Sequence, residues 1–235
     1  MSTRYFFAAS VVALTILAKI SQGFLASDPQ IVRHVPTEQK VIALTFDDGP
    51  NPKTTPAVLK VLKDKNVQAT FFVLGENAKE YPALVAKIVQ NGNEVGTHAY
   101  THRHLKDLSR EECAKELDDT EKVIAESAPR PHLFRPPGGL YDDKVIEEAE
   151  KRGYQTILWS VDPLDWKNPS VDYVVQTVMK KAQSGGIILL HDGLYPVPTP
   201  RALGQIIDLL RQKGYTFVTV DQLLKYSQVQ QTGQT

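Results

Sequence analysis

From residue 40 onward the chain alternates between short apolar runs and longer amphipathic segments. The runs fall at 41–46, 69–74, 94–97, 133–135, 156–160, 187–190 and 217–220, and their β-branched, aromatic and small apolar residues predict seven strands. Between them lie segments of helical period with their own start and stop signals. Pro56 follows Thr55 at a first-turn position before AVLKVLKDKN, YPALVAKIVQNG runs to Gly92, and Ser109 with Glu112 forms a capping box before CAKELDDTEKVIAE. DDKVIEEAEKRG, SVDYVVQTVMKKAQSGG and TPRALGQIIDLLRQKG each close on glycine. Strand and helix alternating over so many units predict a parallel sheet. This number of units in one compact chain predicts an α/β fold closed into an irregular parallel (β/α)7-type barrel. An open doubly wound sheet fits less well, because the turn after the first strand reads DDGP. Two carboxylates repel the phosphate that the glycine-rich turn of such a fold attracts.

The rhythm breaks at both ends. In residues 1–26, Arg4 precedes an apolar stretch from 5 to 18, followed by Lys19 and the small residues Ser21 and Gly23. That is the build of a secretory signal peptide, with an N-terminal membrane anchor as the alternative. Residues 27–39 are polar and predict a linker, 40–227 a single domain, and 228–235 a polar tail. The expected destination is the periplasm, cell envelope or extracellular space. Composition adds that 235 residues at 42% hydrophobic are enough for one large core. Lys and Arg number 27 against 27 Asp and Glu, with no basic run, so electrostatics draws the chain to neither nucleic acid nor an anionic membrane. A neutral partner fits better than a polyanion, and a monomer is the expected state. The single cysteine, Cys113, excludes an internal disulfide and is expected to be an inert helix residue.

The unusual polar residues gather where the predicted strands end. Asp47 and Asp48 follow the first, His98 and His102 the third, Arg135 ends the fourth, Asp162 and Asp165 follow the fifth, and His191 and Asp192 the sixth. In a parallel barrel these ends share one rim, where the active sites of such barrels are built. Desolvating that many charges is costly unless they are paired or bound to something. His98 and His102 are four apart, so on a helical turn both imidazoles face one way and reach one metal; a solvated helix face is the ordinary alternative. One carboxylate of the Asp pair completes three ligands and leaves a position open for water, as in catalytic zinc sites. His104, six residues from His98, is expected on the surface.

TFDDGP, HAYTH, FRPPGG, DPLDW and LLHD, in this order, resemble the five motifs of the polysaccharide deacetylase family, the carbohydrate esterases with a NodB homology domain. The resemblance spans about residues 40–226 and implies roles position by position. It makes Asp47 the general base and Asp48, His98 and His102 the ligands of a divalent metal, zinc first, with cobalt, manganese and nickel as alternatives. Arg135 would hold and tune Asp47, and Asp165 would orient His191, the general acid. The backbone N–H of Gly138 would help stabilise an oxyanion and Leu189 would line an acetyl pocket; beside these, Trp166, Tyr141 and Tyr195 offer rings that either face a sugar or pack in the rim. The implied reaction is removal of acetyl from N-acetylglucosamine units of a cell-envelope polysaccharide, peptidoglycan first, with chitin or chitooligosaccharides as the alternative. N-acetylmuramic acid stays open as the acetylated sugar. Two departures stand out. Ala99 replaces the usual Ser or Thr, so a looser metal loop is expected, and Gly138 replaces a common aromatic, so substrate preference is expected to move. Other classes remain: a glycan-binding module that has lost its chemistry, or a glycosidase. The latter fits poorly, since its two carboxyl groups must flank a bond at about 5–9.5 Å, and adjacent aspartates are ill placed for that.

Overall fold

The computed structural model describes residues 31–232, and the segment 1–26 read as a signal peptide or anchor lies outside the described residues. Eight strands form one all-parallel sheet: β1 Ile31–Val32, β2 Val41–Asp47, β3 Thr70–Val73, β4 Glu94–Thr97, β5 Leu133–Phe134, β6 Gln155–Ile157, β7 Gly186–His191 and β8 Thr216–Val218. The spatial order is β1-β6-β5-β4-β3-β2-β7, with β8 on β2. Isolated bridges from His34 to Gly186 and from Val161 to Ile188 join the two ends of this order, so the sheet closes irregularly into a barrel. The helices are α1 Thr54–Asp64, α2 Gly75–Glu80, α3 Pro82–Gln90, α4 Arg110–Ala125, α5 Asp143–Lys151, α6 Val171–Lys181, α7 Thr199–Gln212 and α8 Val220–Thr232. Among the described residues no helix is long and apolar enough to cross a membrane.

The central strand explains how the rim is aligned. All seven residues of β2 are buried, as expected for a strand covered on both faces. One edge of β2 pairs with β7 from Ile42↔Gly186 to Asp47↔His191. Its other edge is shared: β8 takes Val41 to Ala43, and β3 takes Thr45 to Asp47. The β2–β7 pairing therefore does more than bury the strand: it sets Asp47 and His191 side by side in register at the carboxyl end of the sheet. Below them, Phe46 and Phe71 stack at 4.9 Å within the main apolar cluster, against which Val58, Leu62, Leu203, Ile206 and Leu210 of α1 and α7 pack.

The predicted helix signals are found in place. Ser109 and Glu112 make both bonds of the capping box of α4, and Ser170 and Asp142 cap α6 and α5. Three segments differ from expectation. The linker reading of 27–39 gives way over residues 31–35: Ile31 and Val32 pair with β6, and Val35 is buried with its N–H bonded to the Gly185 carbonyl. Two apolar residues are too short a run to announce a strand, and the unpaired edge of β6 is what orders them. The short helix α2 carries no apolar period of its own. At the other end, α8 begins at Val220 and continues to 232, into the stretch read as a polar tail.

Candidate active site

Asp48, His98 and His102 converge at the rim. The Nε2 atoms of His98 and His102 lie 3.4 and 3.3 Å from Oδ1 of Asp48, and the two rings are 5.2 Å apart. Sequence reasoning brought the imidazoles together on a helical turn, and that expectation is corrected: residues 98–102 form no helix. They form a loop in which Ala99 and His102 take left-handed backbone angles, φ 65° and 59°. Asp48 (φ 70°) and Leu164 (φ 58°) share this conformation, so three of the site loops carry strained residues, as functional sites tend to. The loop's shape, not a helix repeat, aims the two rings at one point.

Each donor is prepared for a cation. Nδ1 of His98 sits 2.7 Å from the Arg135 carbonyl, which can only accept, so this nitrogen carries the hydrogen and Nε2 is left facing Asp48. Oδ1 of Asp48 is buried and has no hydrogen-bond partner among the described residues. Burial works to raise the pKa of Asp48, but the imidazole of His98, with His191 and His102 behind it, outweighs this and holds the carboxylate at about 2. Burial and His98 push the pKa of His102 down, which keeps its lone pair available. For His98 burial acts downward, yet Asp47 and Asp48 raise it overall, so a proton and a cation compete for the same nitrogen. Two ligands bonded to one small dication at about 2.0–2.2 Å can be no more than ~4.4 Å apart, and Asp48 Oδ1 lies within that limit of both imidazole nitrogens.

An acid and a base flank the cluster. The Arg135 guanidinium is wholly buried and donates to Asp47 Oδ1 at 2.6 Å, to Thr45 Oγ1, and to the carbonyls of Ile157 and Leu158. With Phe72 at 4.1 Å and Trp159 at 5.6 Å around it, it has no freedom to leave. Oδ2 of Asp47 is the oxygen turned toward His98, at 3.7 Å. On the other side, His191 donates Nδ1–H to Asp165 Oδ1 at 2.7 Å and its backbone N–H to Asp165 Oδ2 at 2.8 Å. Thr199 Oγ1 and the Trp166 N–H also donate to Asp165, which is fully buried. Desolvation lowers the pKa of His191, but Asp165, Asp47 and Asp48 prevail and raise it to about 9.

Residues 34–157 match the family model described as polysaccharide deacetylase, just over half of the chain. The chain belongs to the polysaccharide deacetylase family. It is 44% identical over 195 residues to a peptidoglycan-N-acetylglucosamine deacetylase of Bacillus cereus, covering 82% of this chain and 92% of that one. A chitooligosaccharide deacetylase of Sinorhizobium fredii is 36% identical over 194 residues, 77% of this chain and 90% of the relative. Among solved structures, a CE4 family pseudoenzyme from Bacillus anthracis superimposes with a TM-score of 0.80 at 33% identity, covering 85% of this chain and 70% of that one.

This polysaccharide deacetylase opens its site into a cavity of about 770 Å³ lined by Asp47, Asp48, His98, His102 and His191. Gly138, Leu189 and Trp166 line it, and Trp166 is 46% exposed. Tyr141 does not, which corrects the sequence expectation. Its hydroxyl accepts from Arg33 at 2.7 Å and its ring packs beside Ile146 and Leu158, because the chain after Gly139 turns away toward β1. Tyr195 also stays outside the lining, 63% exposed under the Lys53 ammonium. His104 is half-exposed, lines the cavity and stands apart from the group of Asp48, His98 and His102. Asn77, Trp159 and Leu194 line the cavity without having been singled out; none sits in a motif whose spacing points to it.

Two further features escaped the sequence. Glu116, on α4, accepts the backbone N–H groups of Tyr100 and Thr101 at 2.8 and 2.9 Å and the Thr101 hydroxyl at 2.7 Å. It braces the loop between the two histidines, where a looser loop was expected from Ala99. The other is an interlock between the DDG and HDG turns. A Cβ on Gly49 would collide with the Asp192 carboxylate, and one on Gly193 with the Asp48 carbonyl, so only glycine fits at either crossing. Asp192 is fully buried behind this crossing, and desolvation raises its pKa to about 7.

Proposed function

We propose that this enzyme hydrolyses the N-acetyl group of N-acetylglucosamine residues in a cell-envelope polysaccharide, with peptidoglycan as the substrate, and that Asp48, His98 and His102 hold the divalent cation it needs. The observation that carries this reading is the convergence of three cation donors with a clamped carboxylate on one side and a carboxylate-bound imidazole on the other, around one open cavity. Amide hydrolysis by an activated water can run on that set. A divalent cation held by Asp48, His98 and His102 would acidify water and polarise the acetamide carbonyl.

The chain's own residues do the rest. Arg135 occupies Oδ1 of Asp47, so Oδ2 is the atom that accepts a proton as water is activated. His191, with its pKa near 9, carries a proton at neutral pH. Its Nδ1–H is spent on Asp165, which leaves Nε2–H directed at the cavity to protonate the departing amine, a poor leaving group without that proton. Leu189 offers the acetyl methyl an apolar wall, and the exposed face of Trp166 offers one to the sugar ring. Relatives named for peptidoglycan support the substrate, and the N-terminal sequence supports delivery outside the cytoplasm. Zinc is the proposed cation, on its preference for imidazole and carboxylate donors in open three-ligand sites.

Acetate release from peptidoglycan and from chitooligosaccharides, before and after chelation and with Zn²⁺ restored, tests the proposal. Release unaffected by complete chelation removes the cation from the reaction, and release from chitooligosaccharides alone moves the enzyme to the substrate class of the Sinorhizobium fredii relative. Asp47→Asn is expected to abolish release while keeping metal content; an active variant means the base lies elsewhere.

A further inference from the structure

The opposite end of the barrel holds a second cluster with the same kind of donors. Glu94 opens β4 and His132 immediately precedes β5, so both lie at the amino ends of their strands, away from the rim just described, and Asp221, in the first turn of α8 after β8, joins them there. Nε2 of His132 is 3.3 Å from Asp221 Oδ1 and 3.9 Å from Glu94 Oε1. One donor from each residue falls within 4.8 Å of the others, the same relation that Asp48, His98 and His102 show.

The carboxylates are oriented by their second oxygens. Glu94 Oε2 accepts from the Thr70 hydroxyl at 2.7 Å and from the Asp221 N–H at 3.3 Å, which leaves Oε1 toward His132. Asp221 Oδ2 accepts from Lys225 at 2.7 Å, which leaves Oδ1 toward the same ring. Fixing a ligand through the atom it does not use for ligation is how outer partners shape metal centres. Glu94 is largely buried and desolvation raises its pKa, so a full positive charge nearby would relieve it. Against a cation stand the Lys225 ammonium and the positive end of α8. Two carboxylates and an imidazole outnumber them.

We propose that Glu94, His132 and Asp221 form a second site for a first-row divalent cation, which clamps α8 to the floor of the barrel. One imidazole with two carboxylates suits Zn²⁺ and its neighbours. The clamp adds to bonds already there: the Val220 N–H donates to Thr70 Oγ1 at 2.9 Å, and Val220 and Leu223 are fully buried. A ligand that binds only the folded chain raises its melting temperature. The site takes no part in the deacetylation assigned above, and stands or falls independently of it.

The test uses Zn²⁺ alone. Equilibrium dialysis with elemental analysis is expected to find two ions per wild-type chain, one in the His98→Ala/His102→Ala variant, one in His132→Ala, and none when all three are replaced. The double variant is expected to keep a Zn²⁺-dependent rise in melting temperature that disappears on adding His132→Ala. The His132 side chain is 53% exposed and not part of the core, so its removal leaves the fold and the acetate-release activity in place. His132→Gln, which keeps polarity and bulk, is the control and is expected to behave as the alanine variant does. A double variant that binds no Zn²⁺, or a residual ion that survives both His132 variants, overturns the proposal. So does a purely electrostatic result, in which His132→Ala changes stability equally with and without Zn²⁺.

Discussion

Asp165→Asn isolates the role of the carboxylate that holds His191. The substitution keeps size and removes a charge from a fully buried position that accepts from both His191 Nδ1–H and the His191 backbone N–H. In the wild-type protein that charge is the leading upward influence on His191 and takes its pKa to about 9 against desolvation. Without it only the weaker influences of Asp47 and Asp48 oppose desolvation, so His191 falls toward its ordinary value of about 6.5, a change of up to ~3 kcal/mol in favour of the neutral ring. The protonated fraction then drops from ~90% to ~3% at about pH 8, some 30-fold, but only about 4-fold at pH 7 and hardly at all near pH 5.5. The quantity to measure is the ratio of kcat/KM for wild type over variant, from acetate release across this pH range. A cation held by Asp48 shifts both proteins together, so the ratio isolates the effect of Asp165. It should rise steeply toward alkaline pH, on top of a constant factor from lost orientation. A ratio that is large but flat with pH would refute the reasoning, since Asp165 would then act only as a structural brace.

Other outcomes follow from the same geometry. Arg135→Met leaves the Asp47 charge buried without its partner and should cost about 3–5 kcal/mol in urea unfolding of the metal-free protein; an unmoved midpoint contradicts the ion pair's role. Glu116→Ala removes the acceptor of two loop N–H groups, and should weaken Zn²⁺ binding at the rim by about 10–100-fold in equilibrium dialysis, whereas unchanged affinity would show that the loop holds itself. In chelated protein His191 is raised from 6.5 to about 9, so its contribution to stability is complete below pH 6.5 and is lost as pH rises through about 9. Asp192, raised from 3.8 to about 7, acts in the same sense: the folded state holds the proton more tightly, so stability falls as pH climbs toward 7 and the loss is complete above it. The melting temperature of the chelated protein should therefore decline from pH 6.5 to 9, and a rise over that range would be incompatible with these shifts.

The sequence by itself determined seven of the eight strands, most of the helices and the chemistry of the rim. Period-2 and period-3.6 burial are written locally, and β2, β4 and the capping box of α4 appear where their residues call for them. The acidic and histidine residues at strand ends were legible because a parallel barrel sends every strand end to one face. Only the tertiary structure decided how those groups meet. The β2–β7 register puts Asp47 beside His191 across 144 positions of chain, and left-handed angles at Asp48, Ala99 and His102 aim the ligands, where a helical turn was expected. Tyr141 was drawn away by Arg33, while Glu116 was drawn in by two backbone amides 15 and 16 residues before it. β1 exists because β6 offers an unpaired edge, and Gly49 and Gly193 are required because two turns cross. Each of these depends on hydrogen bonds and close approaches between residues far apart in the chain, and such contacts have no local period for a sequence to display.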